Sequence, residues 1–262
     1  MSASKENAIR GYYRALFSAW GRQHWWPAQS RFEVIVGAYL TQNTSWTNVE
    51  KAMGMLRRAR VLSIDGVRRT PHSELAQLIR PSGYFRQKAQ RLKTFIEFLD
   101  ERYDGSLTRM FAQPSGELRD QLLALDGVGP ETADSILQYA GNHEVFVVDA
   151  YTRRILERHQ IIFADADYEE IRKLCERALG EEGLAVNSDS RGKKDGHGPR
   201  GSCHRPSRMS MAKRSALAQV FNEMHGLIVG VGKTYCLKSQ MRCEECPLQR
   251  FLPAGRVSGQ TS

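Results

Sequence analysis

The chain has 262 residues, 41% of them hydrophobic, which is material for one large or two modest cores. A formal net charge of +9 favours a polyanionic partner; nucleic acid is preferred to an anionic membrane because no apolar run of transmembrane length occurs. Five cysteines, three of them crowded near the end, argue against a disulfide framework and for a metal or cluster site in a reducing compartment. The opening twenty residues lack the apolar core of a secretory signal, so the expected compartment is the cytoplasm.

In chain order, residues 8–20 are expected to form a first helix, which His24-Trp25-Trp26-Pro27 interrupts, since proline disfavours helix at the residue before it. Two adjacent indoles cannot face one core from a single helix. Either one ring caps the edge of the core while the other enters it, or at least one lines a cleft. A flat π-face in a cleft would suit an unstacked base, at about 1–3 kcal/mol per base, with about 1–2 kcal/mol more for a cationic one. Phe32 to Leu40 is apolar almost all round, as a helix at the centre of a helical domain would be. Thr41-Gln42-Asn43-Thr44 closes it, where the Gln42 amide could cap the helix end, and a further helix is expected from Trp46 to Arg60. Thr70-Pro71 starts another, with Leu75, Leu78 and Ile79 on one face, and Pro81-Ser82-Gly83 stops it. Gly83 to Ala89 reads as scaffold, Lys88 being a solvated charge or a phosphate contact, and Leu92, Phe95, Ile96 and Leu99 make an amphipathic stripe.

Leu118, Leu122 and Leu125 repeat at i, i+4 and i+7, and Ala133, Ile136, Leu137 and Ala140 at i, i+3, i+4 and i+7. Two short helices therefore meet across Gly127-Val128-Gly129, with Pro130 suited to the first position of the second. The amides of Val128 and Gly129 would point outward at a positive helix end, a site for one phosphate; an ordinary helical corner is the alternative. Val145 to Val148 is β-prone but short and is read as an extended connector, which leaves the class all-α. Asp149 follows it and could N-cap the next helix. Residues 187–212 carry six Lys/Arg, two Asp, four Gly and five Ser without apolar periodicity, the pattern of a flexible insertion with Cys203 as an incidental thiol. Cys175 falls in a helix-like stretch from Tyr168 to Leu179, and Leu217, Val220, Phe221, Met224 and Leu227 mark a last helix ending near Gly230 and Gly232. Cys236-x6-Cys243-x2-Cys246 closes the pattern.

The run L-D-G-V-G-P-E-T-A resembles the helix-hairpin-helix of the endonuclease III superfamily of DNA glycosylases, and W-W-P followed by F-E-x-x-x-G-A-x-L-T-Q-N-T is similar to its 3-methyladenine glycosylase branch. The resemblance covers nearly the whole chain apart from the insertion and both tips. It implies two helical lobes with a DNA- and base-binding cleft between them: residues 32–140 as a helical barrel carrying the hairpin at 118–140, and a second lobe built from residues 1–31 and 141–262, with the insertion at 187–212 and a cysteine-rich loop at 236–252. It makes Trp25, Trp26 and Pro27 the walls of a base pocket, Gln42 the residue that fills the gap left in the duplex, and Gly127, Val128, Gly129 and Thr132 the grip on the DNA backbone. Lys233 stands where the family often carries arginine, in a phosphate or pocket role or as a solvated charge, and Arg154 matches a basic residue five positions beyond Asp149.

By the same resemblance Asp149 is the catalytic aspartate. An ionised carboxylate beneath the sugar stabilises oxocarbenium charge and can orient or deprotonate a water. Glu131 stands where bifunctional members have the lysine that forms a Schiff base, so a monofunctional enzyme releasing an alkylated purine such as 3-methyladenine from duplex DNA is expected. Glu131 either favours the helix N-terminus or faces the pocket and helps hold water. The rivals are a glycosylase/lyase of another lesion range, an adenine-mismatch glycosylase, and an inactive hairpin protein that only binds DNA. The cysteines match three of the four ligands of the family's [4Fe-4S] cluster, Leu252 occupying the fourth position; a three-cysteine cluster, a zinc site or an empty loop all stay open. A monomer, acting on DNA in association with the bacterial nucleoid and with no membrane partner, is expected.

Overall fold

The computed structural model describes residues 2–180 and 204–253, and its regular elements are helical: α1 (Ser2–Trp20), α2 (Arg31–Thr41), α3 (Trp46–Arg58), α4 (Ile64–Arg69), α5 (His72–Leu78), α6 (Phe85–Tyr103), α7 (Leu107–Met110), α8 (Ser115–Leu123), α9 (Pro130–Ser135), α10 (Ala150–Arg158), α11 (Tyr168–Leu179) and α12 (Ala216–Thr234). Among the described residues, extended pairing is confined to one bridge between Cys236 and Met241, so the class is all-α. The chain divides into two compact units, one of residues 28–143 and one of residues 1–27 with 144–262.

The unit of residues 28–143 is built around α2. Ser30 caps it by accepting a hydrogen bond from Glu33 N, and Phe32 through Leu40 are all buried. The helix α6 buries Leu92, Phe95, Ile96 and Leu99 on the stripe read from their spacing. Helices α4 and α7, of six and four residues, are too short to show a hydrophobic period and were not legible in advance. Lys88, expected in solvent or on a phosphate, is only 1% exposed. Its ammonium donates to Leu40 O at 2.9 Å and Ser82 O at 2.7 Å, so it ties the last turn of α2 to the turn before α6. Orphan carbonyls at helix ends need such a donor, and a buried lysine can serve two at once. Tyr84, read as scaffold, is instead 68% exposed in a left-handed backbone conformation.

In the other unit, Ile9, Tyr12 and Leu16 of α1 share a core with Ile155, Ile171, Phe221 and Leu227 from α10, α11 and α12. Helix α12 passes through Gly226, Gly230 and Gly232 and ends at Thr234, close to the glycines expected to mark its end. Each helical glycine costs about 1 kcal/mol relative to alanine, but Val220 through Gly232 are all buried, and packing outweighs that intrinsic cost. Residues 187–203, Cys203 among them, lie outside the described residues. Residues 204–212, expected in the same flexible insertion, are a packed turn with Ser207, Met209 and Ser210 buried. A local Ser207–Ser210 exchange holds it, with Ser210 Oγ accepting from Ser207 N at 2.9 Å and Ser207 Oγ from Ser210 N at 3.1 Å. Such a turn has no apolar period to read.

Replacing Lys88 by methionine strips the Leu40 and Ser82 carbonyls of their donor and is expected to lower unfolding stability by about 2–4 kcal/mol. Burial, with the Arg91 charge adding, pushes the Lys88 ammonium down to about 8 from 10.5. The unfolded chain then binds more protons than the folded one between those values, so the lysine's contribution to stability rises with pH across that window. Denaturation of wild type and Lys88→Met at pH 8 and pH 10 should show the difference widening.

Candidate active site

In the unit of residues 28–143 the candidate groups gather at the hairpin between α8 and α9. Gly127 has φ +72°, in the left-handed region that favours glycine. A Cβ there would lie 1.8 Å from Arg91 Nε, so the turn is closed against the side chain of α6 as well as constrained in its backbone. Gln42, the residue after α2, is the brace: its Nε2 donates to Gly127 O and to Thr132 Oγ1, each at 2.9 Å, and its Oε1 accepts from Arg91 Nη1 at 2.8 Å. The amide therefore caps the hairpin rather than its own helix. Thr132 is buried and joined to this network. A second clasp joins the two helices, Arg119 donating through Nε at 2.7 Å and Nη2 at 3.2 Å to the fully buried carboxylate of Asp134.

One expectation for the turn changes. The Val128 amide donates to Leu125 O at 3.1 Å, which spends it inside the turn, and its side chain is buried. Gly129 is exposed, its φ is −91°, and a Cβ built on it meets nothing within 4 Å. The backbone presented outward is thus that of Gly129 and Pro130. Glu131 is exposed in the first turn of α9, where its charge meets the positive helix end.

The remaining candidates lie in the other unit. Val145 through Val148 are buried in an extended run that delivers Asp149 to the N-cap of α10. Its Oδ1 accepts from Thr152 N at 2.7 Å and from Thr152 Oγ1 at 2.9 Å. Oδ2 faces His225 Nε2 at 3.8 Å. His225 was not marked by any motif; it is one buried position among many on α12, and its Nδ1 lies 3.2 Å from Val147 O. Burial lowers its pKa most, the Lys233 charge adding, while Asp149 and the Val147 carbonyl pull the other way.

Trp25 and Trp26 are each 7% exposed, so neither presents an open ring face in the free chain. Trp25 meets Trp26 edge-on at 5.6 Å, and it packs at 5.4 Å against both His204 and His225. The turn at 204–212 reaches this loop directly: His204 N donates to Gln23 O at 3.1 Å and Ser207 Oγ to Trp26 O at 3.3 Å. Pro27 is half-buried behind them. Burial pushes the His204 imidazole down to about 4, with the charges of Lys233 and His24 adding. Half-buried Lys233 thus acts electrostatically on both histidines. Arg154 belongs to the scaffold, donating to Cys236 O at 2.8 Å and Gly232 O at 3.2 Å.

Cys236, Cys243 and Cys246 are half-buried free thiols. Burial raises the pKa of Cys243, and that of Cys246 to about 11; the neighbouring cysteines add to both. Arg158 holds the start of the loop, donating to Cys236 Sγ at 3.1 Å, Leu237 O at 2.7 Å and Lys238 O at 3.1 Å. Leu248 is fully buried and the Phe251 ring packs on Tyr12 at 5.1 Å. Leu252 offers only hydrocarbon at the fourth position, and among the described residues no three His, Cys, Asp or Glu side chains are grouped to hold a metal ion. Among the described residues this loop offers three thiolates, one fewer than a four-thiolate cluster takes.

A family model for HhH-GPD superfamily base excision DNA repair proteins matches residues 36–181. The chain is 36% identical over 254 residues to a protein of Methanocaldococcus jannaschii provisionally named a DNA repair glycosylase, covering 96% of this chain and 98% of that one. It is 28% identical over 232 residues to endonuclease III-like protein 1 of Bos taurus, spanning 88% of this chain and 61% of that longer protein. The H. pylori 3-methyladenine DNA glycosylase bound to 1,N6-ethenoadenine superposes with a TM-score of 0.68 at 26% identity, over 87% of this chain and 97% of that one. A non-covalent endonuclease III–DNA complex gives a TM-score of 0.65 at 18% identity, over 96% and 95%, a likeness of fold.

Gly127→Ala must displace Arg91 and adopt a strained φ, so a loss of about 1–3 kcal/mol in unfolding stability is expected. Gly129→Ala, with open space and ordinary φ, should stay within about 0.5 kcal/mol of wild type. Denaturant midpoints of the two variants provide the comparison. For the cysteine loop, iron analysis and absorbance at about 400 nm on anaerobically purified protein distinguish a three-cysteine cluster, which gives a brown, iron-bearing protein, from a zinc site or an empty loop, which give a colourless one.

Proposed function

The chain belongs to the HhH-GPD superfamily of base excision DNA repair proteins, and from that premise we propose that it is a monofunctional DNA glycosylase that hydrolyses the N-glycosidic bond of an alkylated purine, such as 3-methyladenine, and leaves an abasic site. The observation that carries this reading is the division of labour at Asp149: Oδ1 is fastened to the first turn of α10 while Oδ2 points away from that cap. A carboxylate held in this way keeps one oxygen for chemistry without swinging.

Loss of a base leaves the sugar with oxocarbenium character, and a fixed anion beneath it stabilises the developing charge. The same oxygen can accept a proton from the water that attacks C1′, whose oxygen forms the new bond as the C1′–N bond breaks and its electron pair leaves with the base. Methylation at a ring nitrogen makes the purine cationic, so it departs neutral and needs no strong general acid. Recognition is assigned to Trp25, Trp26 and Pro27, the two indoles supplying an aromatic surface that suits a flat cation. Since both indoles are 7% exposed, entry of a base requires the packing around them, His204 included, to open. The likeness to the H. pylori enzyme supports the choice of lesion.

Glu131 supports the monofunctional assignment, because a carboxylate cannot form the Schiff base that precedes strand cleavage. Gripping the duplex is assigned to the hairpin: the exposed Gly129 backbone at the start of α9 for a phosphate, Gly127, Val128 and Thr132 as its frame, and Gln42 as the group that enters the vacated space after releasing its brace. Lys233 is assigned a supporting role through its positive charge, which acts on His225 beside Asp149. The net charge of +9 gives the association a salt-dependent component.

Alkylated and oxidised duplexes, scored separately for free base and for strand breaks, test this. Release of 3-methyladenine without strand cleavage is expected, and Asp149→Asn should lower it by about 100-fold or more while duplex binding persists. A borohydride-trapped covalent adduct at the level of a lyase would refute the monofunctional reading. Gly129→Ala should weaken duplex affinity although the fold is intact.

A further inference from the structure

The Val147 carbonyl can only accept a hydrogen bond, so the imidazole nitrogen 3.2 Å from it, Nδ1 of His225, carries the proton of the neutral ring. Nε2 of that tautomer presents a lone pair toward Asp149 Oδ2 at 3.8 Å. A lone pair offers the carboxylate no hydrogen and no charge. Were the ring to gain its second proton, Nε2–H and Oδ2 would form a buried ion pair, since the two side chains are 5% and 12% exposed. The oxygen that Thr152 leaves available would then be neutralised.

Resting on the glycosylase reading, we propose that His225 is a positioning residue for Asp149: its neutral, Nδ1-protonated imidazole fixes the segment leading to the carboxylate and leaves Oδ2 anionic, while its protonation closes the site.

The surroundings set which state prevails. Facing the ring are Asp149 from the start of α10, the Val147 carbonyl from the extended run and the Trp25 indole at 5.4 Å, while the charge of Lys233 from α12 itself also acts on it. The first two favour the imidazolium. Lys233 and the burial imposed by the packed indole oppose it, and burial is the largest cause, so the ring's pKa is lowered. Trp25 therefore has a second task besides meeting a base: it keeps water from the imidazole that guards Asp149. An aliphatic residue at 225 would leave the Val147 carbonyl without this donor, and glutamine could serve it without ever becoming charged.

Single-turnover release of the alkylated base, measured over about pH 5 to 8 for wild type and His225→Gln and normalised to each protein's own plateau, tests the proposal. The wild-type rate is expected to fall on the acid side with a midpoint below the ordinary histidine value of 6.5. In His225→Gln that limb should move to lower pH by about half a unit or more. A histidine that merely packs would lower the plateau and leave the limb in place, and an acid limb common to both proteins overturns the proposal.

If wild type releases no base at any pH, the glycosylase reading fails on its own, and nitrogen NMR of the histidine rings judges His225 separately. The same measurement decides if His225→Gln does not fold. Nδ1-protonated signals are expected for His225 in the wild-type chain, and Asp149→Asn should lower the ring's titration midpoint further, because the anion that favours imidazolium is gone. An Nε2-protonated neutral ring, or a midpoint indifferent to Asp149→Asn, would reject the assignment.

Discussion

The proposed chemistry of this protein depends on how one carboxylate, that of Asp149, is shared. In the proposed reaction Asp149 must be rigid enough to lie where a sugar develops charge and yet keep an oxygen for that charge. Capping α10 with Oδ1 satisfies the first demand through two hydrogen bonds from Thr152. The second is met by what is placed beside Oδ2, a buried imidazole that offers no positive charge while it stays neutral. Structural and catalytic uses of an aspartate are often posed as rivals. Here the cap is what makes the second oxygen's direction definite.

A comparable economy governs the hairpin. The turn is held from behind by Gln42 and Arg91, and its two helices are clasped by Arg119 and the buried Asp134. Breaking a buried ion pair costs about 3–5 kcal/mol, so this clasp specifies one arrangement of α8 and α9. Lys88 does the same for the end of α2 with hydrogen bonds to carbonyls. These polar groups replace the flexibility expected of a short glycine-rich turn with a fixed presentation of Gly129. Their cost in desolvation is offset only because each finds partners.

Among the described residues, the two cysteine-bearing regions behave differently from one another. Cys175 is a core residue in α11, as its helical spacing indicated. The three C-terminal thiols are spaced like cluster ligands, but their loop is anchored by Arg154, Arg158, Leu248 and Phe251. Arginine bonds to carbonyls and two apolar plugs give this segment a means of staying ordered that does not pass through metal.

The amino-acid order alone determined the helical class, most helix positions, the glycine turn and the spacing from that turn to Asp149, because each depends on local periodicity or on a residue type with one strong conformational preference. The short helices α4 and α7 escaped, having too few residues to repeat a pattern. Burial on all sides of α12 offsets the low intrinsic propensity of its three glycines, so the helix runs through them to Thr234. Only the tertiary structure decided that Lys88 is buried, that Gln42 braces the hairpin, that residues 204–212 pack on the Trp25-Trp26 loop, and that His225 stands beside Asp149. The contacts that decide these points join residues between 48 and 181 positions apart, as from Lys88 to Leu40 or from Trp26 to Ser207, and no local signal encodes a meeting at such separation. Burial and partner are properties of the packed chain, so side chains whose role depends on them are legible only after folding has brought those partners together.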